Sequence, residues 1–201
     1  MINMKNEKGM STIILVAAVV IVVFVVAIGY FLTVQPGGGK SLKFADFESA
    51  GTSQGGNRGI MPSEDLISEE DVSGGYSGKA LKLTYSFADG EWCGYWMFFN
   101  ASESAVDVSE YSHIKMWVKG ASGNEIFKLE LQDTSGGQSY KTGISVPGTS
   151  WSEISIPLSE FTKVPWAESA ADLSKLKQVN IVFDVAPRSG TAYFDEIRFT
   201  G

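Results

Sequence analysis

Ser112-His113-Ile114-Lys115-Met116-Trp117-Val118 alternates with a period of two, as a strand does when it buries one of its faces. Ile114, Met116 and Val118 form the inward set, which puts Trp117 on an outer sheet face. The same alternation recurs on both sides of this stretch. Predicted strands cover 42–48, 79–87, 94–100, 112–118, 126–132, 140–146, 151–157, 178–185 and 191–199, bounded by Gly, Pro, Ser and Asn. Further inward sets are Leu81, Leu83, Tyr85 and Phe87; Phe127, Leu129 and Leu131; and Val179, Ile181 and Phe183. Trp151 is assigned to the core, because the strand it opens continues through Ile154 and Ile156. One helical turn is expected over 172–177. The Gly-rich and acidic stretch 49–78 reads as a long loop over an edge or mouth. Nine strands with this little helix imply an all-β, two-sheet sandwich.

Of the 201 residues, those from 42 to 201 read as one domain, long enough to bury roughly 70% of its unfolded surface without staples. The single cysteine, Cys93, has no partner for an internal disulfide and is expected to be buried. Formal charge is -7. Lys5, Glu7 and Lys8 contribute +1 of this, so the remainder carries 14 basic against 22 acidic residues, a net -8. With no basic cluster, nucleic acid is excluded as a partner.

Residues 13–32 carry no charge, and 20 helical residues span about 30 Å, the thickness of a bilayer core. The expected organisation is a cytoplasmic segment 1–12, a transmembrane α-helix 13–34, a Gly-rich tether 35–41 and the domain 42–201. Lys5 and Lys8 ahead of the apolar run place the N-terminus inside and the domain outside, at the cell surface or in the periplasm. Two other readings of this segment stay open. Ala27-Ile28-Gly29 fits a signal-cleavage pattern. Glu7-Lys8-Gly9-Met10 resembles a type IV pilin-like leader cut after Gly9, although Ile14 stands where bacterial pilins carry glutamate.

Phe44-Ala45-Asp46-Phe47-Glu48 opens the domain and Tyr193-Phe194-Asp195-Glu196-Ile197-Arg198-Phe199 closes it. A fold that pairs first and last strands brings Asp46, Glu48 and Asp195 near one another. Together with Gly78-Lys79-Ala80-Leu81-Lys82-Leu83, Tyr111 to Gly120 and Trp151-Ser152-Glu153-Ile154-Ser155-Ile156-Pro157-Leu158, these blocks resemble the galactose-binding-like jelly roll of carbohydrate-binding modules. Family 11 modules and the related domain of complex I intermediate-associated proteins are the nearest in pattern. That resemblance implies a jelly-roll fold, a β-glucan groove on the concave sheet, and a structural calcium at Asp46, Glu48 and Asp195 with carbonyl oxygens completing its shell.

Sugar recognition needs aromatic rings for the C–H face of a pyranose and polar side chains for its hydroxyls. Trp92, Tyr95 and Trp96 form the densest aromatic cluster; Trp117, Tyr140 and Trp166 are further rings on an outer face or near loop ends. Outward polar rows run through Lys128, Glu130 and Gln132 to Asp133, and through Asn180, Val182 and Asp184. They form a groove floor if they share the concave sheet, and a wet outer face if they do not. His113 is the only histidine, so neither a Ser-His-Asp nor a Cys-His arrangement can be assembled. The leading expectation is a membrane-anchored, non-catalytic polysaccharide-binding domain. A pilin-like or surface-layer subunit that self-assembles through its apolar helix, and an assembly or scaffolding domain, are the alternatives.

Overall fold

Burial along the strand His113–Gly120 alternates residue by residue: Ile114, Met116 and Val118 are fully buried, and His113, Lys115, Trp117 and Lys119 are not. The structure is a computed structural model that describes residues 39–201. The segment 1–12, the apolar span 13–34 and residues 35–38 of the tether lie outside the described residues. Among the described residues no helix is long and apolar enough to cross a membrane.

Among the described residues twelve strands follow one another: β1 (Ser41–Ala45), β2 (Arg58–Met61), β3 (Ile67–Ser73), β4 (Lys79–Ser86), β5 (Cys93–Phe98), β6 (His113–Gly120), β7 (Ile126–Asp133), β8 (Gln138–Ser145), β9 (Ser152–Pro157), β10 (Thr162–Lys163), β11 (Leu176–Phe183) and β12 (Ser189–Thr200). One sheet has the order β3-β4-β12-β6-β9, with β1 also paired to β12; the other has the order β10-β8-β7-β11-β5-β2. The alternating side chains of both sheets meet in one core, which gives the expected all-β sandwich. Its densest part is aromatic. Phe44, Phe99 and Phe199 lie within 4.5 to 6.3 Å of one another, ring to ring, and burying each such ring contributes about 2 kcal/mol.

The expected inward sets are buried as read. Two expectations need correction, and a third is narrowed. The stretch 49–78 contains β2 and β3 as well as loop. β3 is a sheet edge whose only fully buried residue is Ile67, so its acidic face hides the period-two signal and keeps the edge from pairing further. Trp151 lies outside the core cluster. Its odd parity sets it against Ile154 and Ile156 and turns it to the outer face, 6.4 Å from Tyr193. The turn over 172–177 is a short 3-10 helix, Leu173–Lys175, capped by Asp172 accepting from the Ser174 amide, and β11 begins directly after it.

Buried polar groups explain several loops. The Glu125 carboxylate, 1% exposed, accepts from the amides of Ser122, Gly123 and Asn124 at 2.8 to 3.1 Å and so closes the β6–β7 connection. Cys93 is buried, and burial pushes its thiol up to about 12, which makes it a packing residue. Tyr85 stacks on Phe183 at 4.0 Å, and its hydroxyl has no hydrogen-bond partner among the described residues. A buried donor without a partner costs about 1 to 3 kcal/mol. Tyr85→Phe is therefore expected to be neutral or to stabilise by up to about 1 kcal/mol. Urea unfolding checks this; a loss above about 1 kcal/mol would contradict it.

Candidate functional site

β7 and β11 are neighbours, and their register pairs Gln132 with Gln178, Glu130 with Asn180 and Lys128 with Val182. The two polar rows of the sequence therefore share one face, the outer face of the β10-β8-β7-β11-β5-β2 sheet. On β5 the same face carries Gly94, Trp96 and Phe98, because Tyr95 and Met97 point into the core. A cleft of about 520 Å³ opens on this face. Its floor is Lys128, Glu130, Val182 and Asp184, and its walls are Met61, Trp166 and the Gly90-Glu91-Trp92 segment.

The two indoles of the cleft are exposed, Trp92 by 42% and Trp166 by 66%. Trp92 follows a turn in which the Ala88 amide donates to the Glu91 carboxylate at 2.8 Å and the Glu91 amide donates to the Ala88 carbonyl. Trp166 donates from Nε1 to Gln138 Oε1 at 3.2 Å. The Lys128 ammonium lies 5.6 Å from the Trp166 ring centre, 2.8 Å from Asp184 and 3.1 Å from Glu130. Burial opposes its charge, but Asp184 and Glu130 outweigh that cost and hold its pKa above the ordinary lysine value. The cleft thus presents flat apolar surface above a fixed set of charged donors and acceptors, with more negative than positive charge.

The opposite outer face also carries rings, and each of them is already in contact on one side. Tyr76 lies flat on Trp117 at 3.5 Å, and Lys119 sits over both Trp151 and Tyr193 at 5.0 and 4.4 Å. Trp117, expected to bind ligand, is therefore placed on the other sheet and stacked on a neighbour. Tyr95 is fully buried, and its hydroxyl accepts from Arg58. Asp133 is 2% exposed, and its carboxylate is engaged by three backbone amides. Trp96 is on the cleft's sheet face and donates to the Ile60 carbonyl across β2. Gln132 and Tyr140 share that face too, beyond the cleft lining. Trp92, Glu130 and Asp184 line one cleft, together with Lys128, Met61 and Trp166.

The terminal blocks meet through antiparallel pairing of β1 with the end of β12. β12 pairs with β4 up to Phe194 and with β1 from Ile197 onward, with Glu196 in the left-handed region at φ 48°. Asp195 sits at this change of partner, fully buried, accepting from the amides of Ser77 at 2.9 Å and Glu196 at 2.7 Å. Glu48 accepts from the Lys79 amide at 2.8 Å. Both carboxylates press on the Gly74–Gly78 turn. A Cβ on Gly75 would stand 2.8 Å from Asp195 Oδ2, and one on Gly78 2.1 Å from Glu48 Oε1. Asp46 turns instead toward Lys43, 3.5 Å away.

Among the described residues no three acidic, His or Cys side chains converge on one point. A calcium ion here would take Asp195 and Glu48 and draw its other ligands from carbonyl oxygens. The fit rests on Asp195. Burial, and then the fields of Glu196 and Glu48, push its carboxyl above the ordinary range, against the amide bonds that lower it, and among the described residues no Lys or Arg pairs with it.

Residues 45–201 match the family described as Carbohydrate binding domain 30. The chain belongs to that family. No curated protein matches this family 30 domain. Its fold is similar to that of a family 11 carbohydrate-binding module of a cellulosomal cellulase of Clostridium thermocellum, at 21% identity and TM-score 0.65, covering 81% of this chain and 95% of that one. A family 11 module from the same organism, in complex with a β-1,3-1,4-mixed-linked tetrasaccharide, gives 19%, 0.65, 80% and 95%. A family 30 module of another C. thermocellum cellulosomal cellulase gives 17%, 0.59, 81% and 98%. At these identities the likeness establishes the jelly-roll fold of the family 30 domain.

Proposed function

We propose that this carbohydrate-binding domain holds a β-glucan chain, without cleaving it, in the cleft between Trp92 and Trp166. The observation that carries the reading is the pair of indoles left exposed over a floor of Lys128, Glu130 and Asp184. Pyranose C–H faces stack on the rings while sugar hydroxyls donate to the two carboxylates and accept from the ammonium. Both carboxylates of the floor are bound to the one ammonium of Lys128, which fixes them as acceptors for sugar hydroxyls. A relative in complex with a mixed-linked tetrasaccharide supports β-1,3-1,4-glucan as the first ligand to try. An open cleft of this kind gives Kd values of roughly millimolar to micromolar. Calorimetry of the full chain in mild detergent against mixed-linked glucan, cellulose oligomers and agarose tests it; no heat with any of them overturns it. The uncharged run 13–32 supports a membrane-anchored display of the domain outside the cell.

The same reading includes a structural calcium at Glu48 and Asp195. Because Asp195 has a raised folded pKa, the native state holds its proton more tightly than the unfolded chain. In chelator, its contribution to stability therefore falls as pH rises through the window between the ordinary value of 3.8 and the raised one. Bound calcium reverses that slope by favouring the ionised form. Thermal unfolding from pH 3.5 to 6 is expected to show a higher midpoint with millimolar calcium than with chelator, the gap widening with pH and vanishing in Asp195→Asn. Superimposed curves would remove the metal.

A further inference from the structure

Trp166 stands on a segment with no helix or strand of its own between β10 and the turn Leu173–Lys175, yet that segment is pinned along its length. The Val164 amide donates to the Gln138 carbonyl, the Gln138 amide to the Ser169 carbonyl, and the Ala171 amide to Ser139 Oγ. Lys163 Nζ reaches the Ala167 carbonyl at 2.6 Å. The last pin is Asp133, at the end of β7. Its Oδ1 accepts from the Ser135 and Gly137 amides at 2.7 and 2.9 Å, which shapes the β7–β8 turn, and its Oδ2 accepts from the Asp172 amide at 2.9 Å. One nearly inaccessible carboxylate thus joins the strand that carries Lys128 and Glu130 to the segment that carries Trp166.

We propose that Asp133 is a positioning residue for glycan binding, acting through Trp166 by fixing its segment over the cleft floor. This deepens the reading of the cleft and rests on it for its effect on affinity. The expected role differs from the direct ligand contact suggested by sequence, because no oxygen of Asp133 is left facing the cleft.

Asp133→Asn separates the two halves of the carboxylate's work. The amide oxygen keeps accepting from Ser135 and Gly137, while the new NH2 group faces the Asp172 amide, donor against donor. In the full chain, hydrogen exchange is expected to speed up at Asp172 and Ala171 and to stay unchanged at Ser135 and Gly137. Glucan affinity is expected to fall about fivefold to tenfold, less than the full weight of one charge-assisted hydrogen bond because the other pins of the segment remain. The same substitution is expected to have no further effect on a Trp166→Ala background and to multiply the loss on a Trp92→Ala background. Unchanged affinity overturns the proposal, and so does an equal loss with Trp166 already removed. A fluorotryptophan spectrum, with Trp166→Ala identifying its resonance, decides the positioning role without any glycan. A Trp166 signal that moves in Asp133→Asn while that of Trp92 stays supports it; one that stays put overturns it. Absence of glucan binding by the wild-type chain is the separate failure that would sink the function itself.

Discussion

Trp166→Ala is expected to weaken glucan binding about thirtyfold while leaving the urea unfolding midpoint where it was. The two halves of that expectation have one cause. An indole that is 66% exposed contributes little to the core, so its loss costs the fold little. The same exposed ring supplies stacking surface worth about 2 kcal/mol to a pyranose, which is a factor of about thirty in Kd. Its Nε1 bond to Gln138 and its contact with Lys128 fix the ring before ligand arrives, so little rotamer entropy is lost on binding. Trp166→Phe keeps a ring but drops the Gln138 bond and is expected to lose about fivefold. Trp92→Ala is expected to match Trp166→Ala. Trp117→Ala, on the other sheet and already covered by Tyr76, is the control and should bind as the wild type does. Calorimetry with mixed-linked glucan reads all four, and full affinity in Trp166→Ala would remove the cleft as the site.

Arg58→Met is expected to produce the largest loss of stability, about 3 to 5 kcal/mol, visible as a lower urea midpoint at unchanged slope. The side chain is only 6% exposed and carries five connections. It donates to Asp71 at 2.5 Å, to the Tyr95 hydroxyl at 3.1 Å and to the carbonyls of Ala50 and Ser49 at 3.0 and 3.1 Å, and it lies over the Phe47 ring. These partners come from β3, β5 and the loop that leaves β1, so one guanidinium ties both sheets along their seam. Methionine fills the volume and leaves the Asp71 charge and two carbonyls without their donor. Arg58→Lys keeps the charge but offers a point donor in place of a planar fork, and is expected to recover less than half of the loss. A shift below about 1 kcal/mol in Arg58→Met would show that the network is not structural.

The sandwich was legible because strand parity is strict: Ile114, Met116 and Val118 could not be buried without turning Trp117 outward. β3 was not legible because its alternation is erased by Glu69, Glu70 and Asp71 at an edge. The cleft was half legible. Trp92, Glu130 and Asp184 follow from composition and parity, but whether two polar rows share a face is set by which strands are neighbours, and that is a property of topology. The burial of Tyr95 was not legible because the five bulky residues 95 to 99 contain no polar residue to reveal their phase. Asp133 reads as a ligand residue in sequence because a carboxylate bound to backbone amides looks the same as one awaiting a ligand.

The pairing of β1 with the last residues of β12 has a mechanical consequence. The Gly201 amide donates to the Lys40 carbonyl, so the two ends of the described chain emerge side by side, at the end of the sandwich away from the cleft. A force pulling these ends apart opens the β1–β12 ladder from Ser41 and Thr200 inward, one hydrogen bond at a time, and meets little resistance. A force applied between Gly39 and a glycan held in the cleft instead runs parallel to the strands and shears β1 along β12, loading the whole ladder at once. Single-molecule extension in the two geometries should therefore give a high rupture force for the second and a low one for the first.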